Sequence, residues 1–89
     1  MIKVKRHKLF IKDLQKSQLS DQHFSKYIVY ISMLIQKETL PQEALDHALK
    51  GEYLGLREFH ISGDVLVIYR VKDNTLMLLR IGSHAQLFG

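Results

Sequence analysis

The run Ser62-Gly63-Asp64-Val65-Leu66-Val67-Ile68-Tyr69-Arg70-Val71-Lys72-Asp73-Asn74 decides the fold. Its apolar stretch, residues 65–69, fills both parities of an extended chain, which predicts a central strand covered on both faces. The segments on either side, Ser62-Gly63-Asp64 and Lys72-Asp73-Asn74, carry the small and Asx residues that tight turns require. Runs at 53–61 and 75–83 then read as partner strands, giving two consecutive hairpins around the strand at 65–71.

Upstream the apolar period changes from 2 to 3.6. Ser20 or Asp21 can cap a helix in which Phe24, Tyr27, Ile28, Ile31, Leu34 and Ile35 recur at i, i+3, i+4 and i+7. Thr39-Leu40-Pro41 prevents its continuation past about Lys37, because proline lacks an amide donor and restricts the residue before it. Before it, Phe10, Ile11 and Leu14 mark one face of an amphipathic helix running from His7 to about Leu19, and Lys8, Lys12 and Lys16 recur on another. Ile2-Lys3-Val4-Lys5 alternates apolar and basic residues and reads as a short first strand with one face toward a core. A helical turn is expected near 42–45 and a loop at 46–51. The expected fold class is α+β, in the order β-α-α-β-β-β, with two N-terminal helices on one face of a small, mostly antiparallel sheet.

Size and composition agree with this plan. Eighty-nine residues at 10.4 kDa, 46% of them hydrophobic, suit a single domain over 1–89. The chain has no cysteine, which excludes disulfide staples, a thiol nucleophile and cysteine-ligated metal centres. No apolar stretch has the length of a signal peptide's core or a membrane span, so a cytoplasmic location is expected.

A net charge of +4 favours an anionic partner, and its distribution is uneven. Lys3, Lys5, Arg6, Lys8, Lys12, Lys16, Lys26 and Lys37 face only Asp13 and Asp21 in the first 37 residues, and acidic residues outnumber basic ones thereafter. The Lys8/Lys12/Lys16 stripe reads either as the solvated face of a helix or as a phosphate-backbone contact.

Three of five histidines, His47, His60 and His84, lie at expected strand ends or loops, where an imidazole can exchange protons near neutral pH. His60 and Asp64 flank the Ser62-Gly63 turn and are expected to approach one another. Arg80 and His84 share strand parity and should point to one side if Gly82 introduces no bulge. Two imidazoles as base and acid, a carboxylate to orient one and a guanidinium for a phosphate suit metal-independent RNA cleavage through the ribose 2′-hydroxyl. Two other readings stand beside it. The histidines can be structural or surface groups, and His47, His60, Asp64 and His84 have ligand types that fit zinc, though no HExxH-like signature accompanies them. Phe88, near the end of the sequence, suits stacking on a base as well as packing over the sheet edge.

The segments Asp46-His47-Ala48-Leu49-Lys50-Gly51, Arg57-Glu58-Phe59-His60-Ile61-Ser62-Gly63-Asp64 and Gly82-Ser83-His84-Ala85-Gln86-Leu87-Phe88 resemble the YafQ branch of the RelE/ParE toxin superfamily. The shared patterns are DHxLxG, RxxHxxxD and GSHxxLF. The resemblance implies a RelE-like fold and a bacterial, cytoplasmic toxin of a type II toxin–antitoxin pair: an mRNA interferase that cuts messenger RNA on the translating ribosome without a metal or other cofactor. Residue by residue, it implies catalytic roles for His47, His60, Asp64 and His84, a phosphate-binding role for Arg80 and base positioning by Phe88. His47 and His84 are the expected acid–base pair, with His60 and Asp64 orienting one another. Implied partners are a cognate acidic antitoxin, mRNA and A-site ribosomal RNA, the last bound through Lys5, Arg6, Lys8, Lys12 and Lys16; operator DNA is reached only through the antitoxin. The chain departs from the pattern at Glu58, where some relatives carry aspartate, and at Val65, where some carry tryptophan. A ParE-like toxin that binds DNA gyrase without nuclease chemistry is the competing reading within the superfamily.

Overall fold

β-branched and aliphatic side chains of the central run place Leu66–Lys72 in the middle of a five-stranded sheet, and the computed structural model describes residues 2–89 around it. In chain order the elements are β1 (Lys3–Arg6), α1 (Lys8–Lys16), α2 (Asp21–Ile35), β2 (His47–Ala48), β3 (Arg57–His60), β4 (Leu66–Lys72), β5 (Thr75–Gly82) and α3 (His84–Phe88). The sheet runs β1-β5-β4-β3-β2, antiparallel throughout except that β1 lies parallel to β5. The expected α+β arrangement is present, with β2 and α3 added to it.

Alternation along β4 divides the molecule into two layers. Val67 and Tyr69 face α1 and α2 and join Phe10, Tyr30, Phe59, Ile61, Leu76, Leu78 and Ile81 in the main core. Leu66 and Ile68 face the other way and pack with Leu87, Leu49, Leu56 and Leu79. Four consecutive buried residues in one strand are thus explained by cover on both sides. The β4–β5 turn is a two-residue loop, Asp73-Asn74, with φ of 53° and 59°; aspartate and asparagine tolerate this left-handed pair, which matches strand twist.

Several local expectations are corrected. The strand expected at 53–61 is confined to Arg57–His60, because a 3₁₀ turn at Gly51–Tyr53 and Gly55 at φ 94° break the extended chain before it. The strand expected to reach Ser83 ends at Gly82, where Ser83 caps α3 and Gln86 completes a capping box. All four residues of β1 are exposed, since it is an edge strand; Ile2, just before it, fills the core instead. In α2 the buried stripe centres on Tyr30, with Tyr27, Ile31 and Leu34 beside it, and Phe24 and Ile28 of the expected stripe stay exposed. Asp46–Gly51 is not wholly loop, as His47 and Ala48 pair with β3.

Candidate functional site

Strand alternation decides which groups meet. Phe59 points into the helical core, so its neighbours Glu58 and His60 emerge on the opposite face of β3. Cross-strand pairing sets His47 against Glu58 on one side and Ile68 against Glu58 on the other, with Arg80 against Ile68 in turn. Cross-strand partners share a face, so His47, Glu58, Ile68 and Arg80 form one row across four strands.

His84 reaches this face by a different route, as the first residue of α3. The strand parity that was to align it with Arg80 stops at Gly82. A Cβ on Gly82 would stand 2.7 Å from Gln86 Oε1 and 3.4 Å from Leu87 Cδ2, so glycine leaves room for the Gln86 side chain to close the capping box as α3 folds back onto the sheet. Leu87 then anchors the helix on Leu66 and Ile68.

Glu58 is the centre of the site. It is 3% exposed, and its Oε1 lies 2.9 Å from His47 Nε2, 3.8 Å from His60 Nε2 and 3.9 Å from His84 Nε2. Its Oε2 is buried with no hydrogen-bond partner. His47 Nδ1–H donates to the Leu45 carbonyl at 2.6 Å, because a carbonyl can only accept. The 2.9 Å contact between His47 Nε2 and Glu58 Oε1 is a hydrogen bond when one of the two atoms carries a proton. The imidazoles of His47 and His84 are largely exposed, whereas that of His60 is mostly covered.

The rings continue as a row. Centroids are 6.4 Å apart for His47 and His60, 6.0 Å for His60 and His84, and 5.1 Å for His84 and Phe88. Tyr53 meets Phe88 edge-on at 5.2 Å. Phe88 remains exposed enough to offer its free face to a base.

Two ion pairs hold the ends of the row. Before His47, Asp46 Oδ1 accepts from the Tyr69 hydroxyl at 2.6 Å and from Arg57 Nε at 3.2 Å, fixing the loop that carries the imidazole. Burial and the Asp46 carboxylate push the Tyr69 phenol well above its ordinary range, so it remains a neutral donor. At the other end, Asp13 of α1 accepts from Arg80 Nε at 2.7 Å, from Arg80 Nη2 at 3.1 Å and from the Ile81 amide at 3.1 Å. Burial raises the Asp13 carboxyl, but the hydrogen bonds from Arg80 and Ile81 and the charges of Arg80 and Lys16 outweigh it and hold the carboxyl below its ordinary value. The hydrogen bond to Asp13 also raises Arg80.

The structure therefore brings together His47, His60, His84 and Phe88, with Arg80 on the same sheet face and tied to Asp13. It does not bring Asp64 to His60. Among the described residues no carboxylate except Glu58 comes within 4.0 Å of a histidine nitrogen, and Asp64 lies exposed in the β3–β4 connection, its amide bonded to Ser62 Oγ. Ile61 N–H donates to Val65 O in register with the His60–Leu66 pair, so the turn is the three residues 62–64, and Asp64 at its end projects into solvent. Glu58, 3.8 Å from His60 Nε2, stands beside that imidazole where Asp64 was expected. Strand parity with His60 was the signal that could have revealed it. The zinc set expected from sequence changes likewise: Glu58, His60 and His84 present ligand atoms within 4.8 Å of one another, and Asp64 is not among them. Lys5, Arg6, Lys8, Lys12 and Lys16 are all exposed on β1 and α1.

The family described as the bacterial toxin of type II toxin–antitoxin systems, YafQ, matches residues 2–89. The chain belongs to the YafQ family. The mRNA interferase toxin YafQ of Escherichia coli K12 is 35% identical over 82 residues, covering 90% of this chain and 88% of that protein. Among YafQ-like solved structures, a copper-bound mutant toxin from Helicobacter pylori is 42% identical at a TM-score of 0.85, covering 99% of this chain and all of that one. The YafQ chain of the E. coli DinJ–YafQ complex superimposes at 0.87 with 30% identity over both full lengths. The resemblance carried by the three histidine motifs is thus a family relationship over the whole fold.

Proposed function

We propose that this protein is the toxin of a type II toxin–antitoxin pair and an mRNA interferase that cuts RNA by histidine acid–base catalysis. The observation that carries the reading is one buried carboxylate oxygen, Glu58 Oε1, facing three imidazoles on an open sheet face. An exposed imidazole, His47 or His84, takes the proton of a ribose 2′-hydroxyl, whose oxygen attacks the adjacent phosphorus. The other gives a proton to the departing 5′-oxygen, leaving a 2′,3′-cyclic phosphate and a free 5′-hydroxyl. Glu58 balances the positive charge that moves among the rings, and His60, mostly covered between them, orients its neighbours. Arg80 keeps guanidinium donors beyond those given to Asp13 and stabilises the charge that builds on the phosphoryl oxygens. Phe88 positions a base by stacking.

The basic surface of β1 and α1, with Lys5, Arg6, Lys8, Lys12 and Lys16, supports binding to ribosomal RNA phosphates around the A site in the bacterial cytoplasm. The E. coli DinJ–YafQ toxin–antitoxin complex supports a cognate antitoxin as the neutralising partner; the basic surface of this chain suits an acidic one, through which operator DNA would be reached.

The test is growth on induced expression of the wild type beside His47→Ala and His84→Ala, with primer extension on a reporter message. Growth arrest with new 5′ ends that vanish in the equally expressed variants is expected. Arrest that survives both substitutions overturns the nuclease reading and favours the gyrase-binding mechanism, which a supercoiling assay then measures. A second reading, metal binding at Glu58, His60 and His84, is favoured by their ligand geometry and by the copper-bound H. pylori relative. In the metal-independent mechanism, EDTA leaves cleavage unchanged; loss of activity in EDTA that zinc or copper restores would reverse that assignment.

A further inference from the structure

Leu45 holds a backbone conformation that its side chain does not favour. Its φ of 51° and ψ of 38° lie in the left-handed region, which a bulky residue rarely enters. Its own packing does not account for this, because the side chain is 58% exposed. Strained backbone of this kind persists only where its surroundings hold it, and it gathers at functional sites. Two residues on, its effect is plain: the Leu45 carbonyl is aimed at His47 Nδ1, 2.6 Å away.

The chain is fixed on both sides of Leu45. Before it, Ala44 is fully buried and the Leu45 amide donates to the Gln42 carbonyl at 3.0 Å. After it, Asp46 Oδ1 accepts from the Tyr69 hydroxyl and from Arg57 Nε at once. Tyr69 and Arg57 are cross-strand partners on β4 and β3, and Tyr69 is buried in the main core, so this clamp is anchored in the most rigid part of the molecule. None of the three belongs to the imidazole row; they act on it through the backbone of residues 45–47. A neutral imidazole that is free to turn carries its proton on either nitrogen. With Nδ1 bonded to the Leu45 carbonyl, Nε2, which faces Glu58, is the nitrogen left to exchange a proton.

We propose that Tyr69, Asp46 and Arg57 are positioning residues for His47: by holding Leu45 in its left-handed conformation they keep the neutral imidazole's proton on Nδ1 and reserve Nε2 for proton exchange with RNA. The inference rests on the nuclease reading and deepens it, since it names the atom of His47 that does the chemistry.

Two variants release the clamp without touching the row. Tyr69→Phe keeps the buried ring and deletes the hydroxyl, and Asp46→Ala deletes the acceptor. Asp46→Asn keeps an amide oxygen where Oδ1 stands and should behave as the wild type does. Arg57 is a poorer probe, because its exposed guanidinium is also open to a phosphate. Long-range proton–nitrogen NMR spectra of protein labelled in its histidines locate the His47 proton, single-turnover cleavage of a short RNA reads the chemistry, and circular dichroism checks folding. The wild type and Asp46→Asn should carry the neutral His47 proton on Nδ1. Tyr69→Phe and Asp46→Ala should show both neutral forms and cleave roughly tenfold more slowly, the scale of one hydrogen bond to a charged group, with the RNA concentration for half-maximal rate unchanged. Folded variants that keep the wild-type proton position and rate would reduce the cluster to core packing and overturn the proposal. If the proton position shifts as expected but the wild type itself cuts no RNA, the clamp stands and the nuclease reading falls.

Discussion

At the scale of single residues, the burial of Glu58 is the fact with the largest consequence. A carboxyl group that is 3% exposed is compensated by His47 Nε2 at 2.9 Å from its Oε1, with two further imidazoles just outside hydrogen-bonding range. Glu58→Gln keeps the shape but removes the charge that balances proton movement among the rings. Single-turnover cleavage should fall roughly 10²-fold, the lower range of an acid–base contribution, with thermal stability changed far less than by Glu58→Ala. Equal losses of stability and activity in the two variants would demote Glu58 to a packing residue. The residue was visible in the sequence and its importance was not: a substitution of aspartate by glutamate looks mild until β pairing sets His47 directly opposite and α3 returns His84 above it. For Asp64 only the expected approach to His60 failed, since a turn signal such as Ser62-Gly63-Asp64 places the turn but does not fix where its side chains point.

At the scale of elements, α3 is the part that sequence periodicity could not find. Five residues are too few to show a helical repeat, and the helix is specified by contacts instead: the Ser83–Gln86 capping box, Gly82 beneath it and Leu87 in the second core. Gly82→Ala would set a methyl group 2.7 Å from Gln86 Oε1. The glutamine end can swing away, so the steric cost is small, but the capping box is lost at about 1 kcal/mol. His84 then loses its fixed position, and cleavage should drop about tenfold while the melting temperature moves only a few degrees; unchanged cleavage would show that α3 does not set the catalytic geometry. The α1–β5 junction makes a pH-dependent prediction. Asp13 is held below its ordinary value near 3.8, so its stabilisation is complete above that value and is lost as pH falls through the lower folded value. Asp13→Asn should destabilise the protein by about 1 kcal/mol at neutral pH, a figure discounted because Arg80 is about one-third exposed, and should flatten the acid limb of stability against pH. Thermal melts from pH 7 down to pH 3 measure both; parallel curves for the two proteins would remove Asp13 as their source.

At the scale of the whole molecule, the chain divides its chemistry between the two faces and the edges of a single sheet. The helical face holds the main core, as the two-sided hydrophobicity of 65–69 and the spacing of the upstream helix foretold. The opposite face carries the imidazole row over a smaller apolar cluster of Leu66, Ile68 and Leu87, which is why the site stays open. The basic residues lie apart from both, on α1 and the β1 edge. This separation predicts that binding and chemistry can be altered independently. Replacing Lys8 and Lys12 with glutamine should weaken association with ribosomes and flatten its salt dependence by up to about 0.9 for each phosphate no longer neutralised. The positions of the cuts on a reporter message should not move, because neither lysine is among the groups of the imidazole row. Sedimentation of the toxin with ribosomes at several salt concentrations, beside primer extension, reads both quantities. Shifted cut sites would mean that α1 helps to place the message, whereas undiminished sedimentation would make the lysine stripe a solvated helix face.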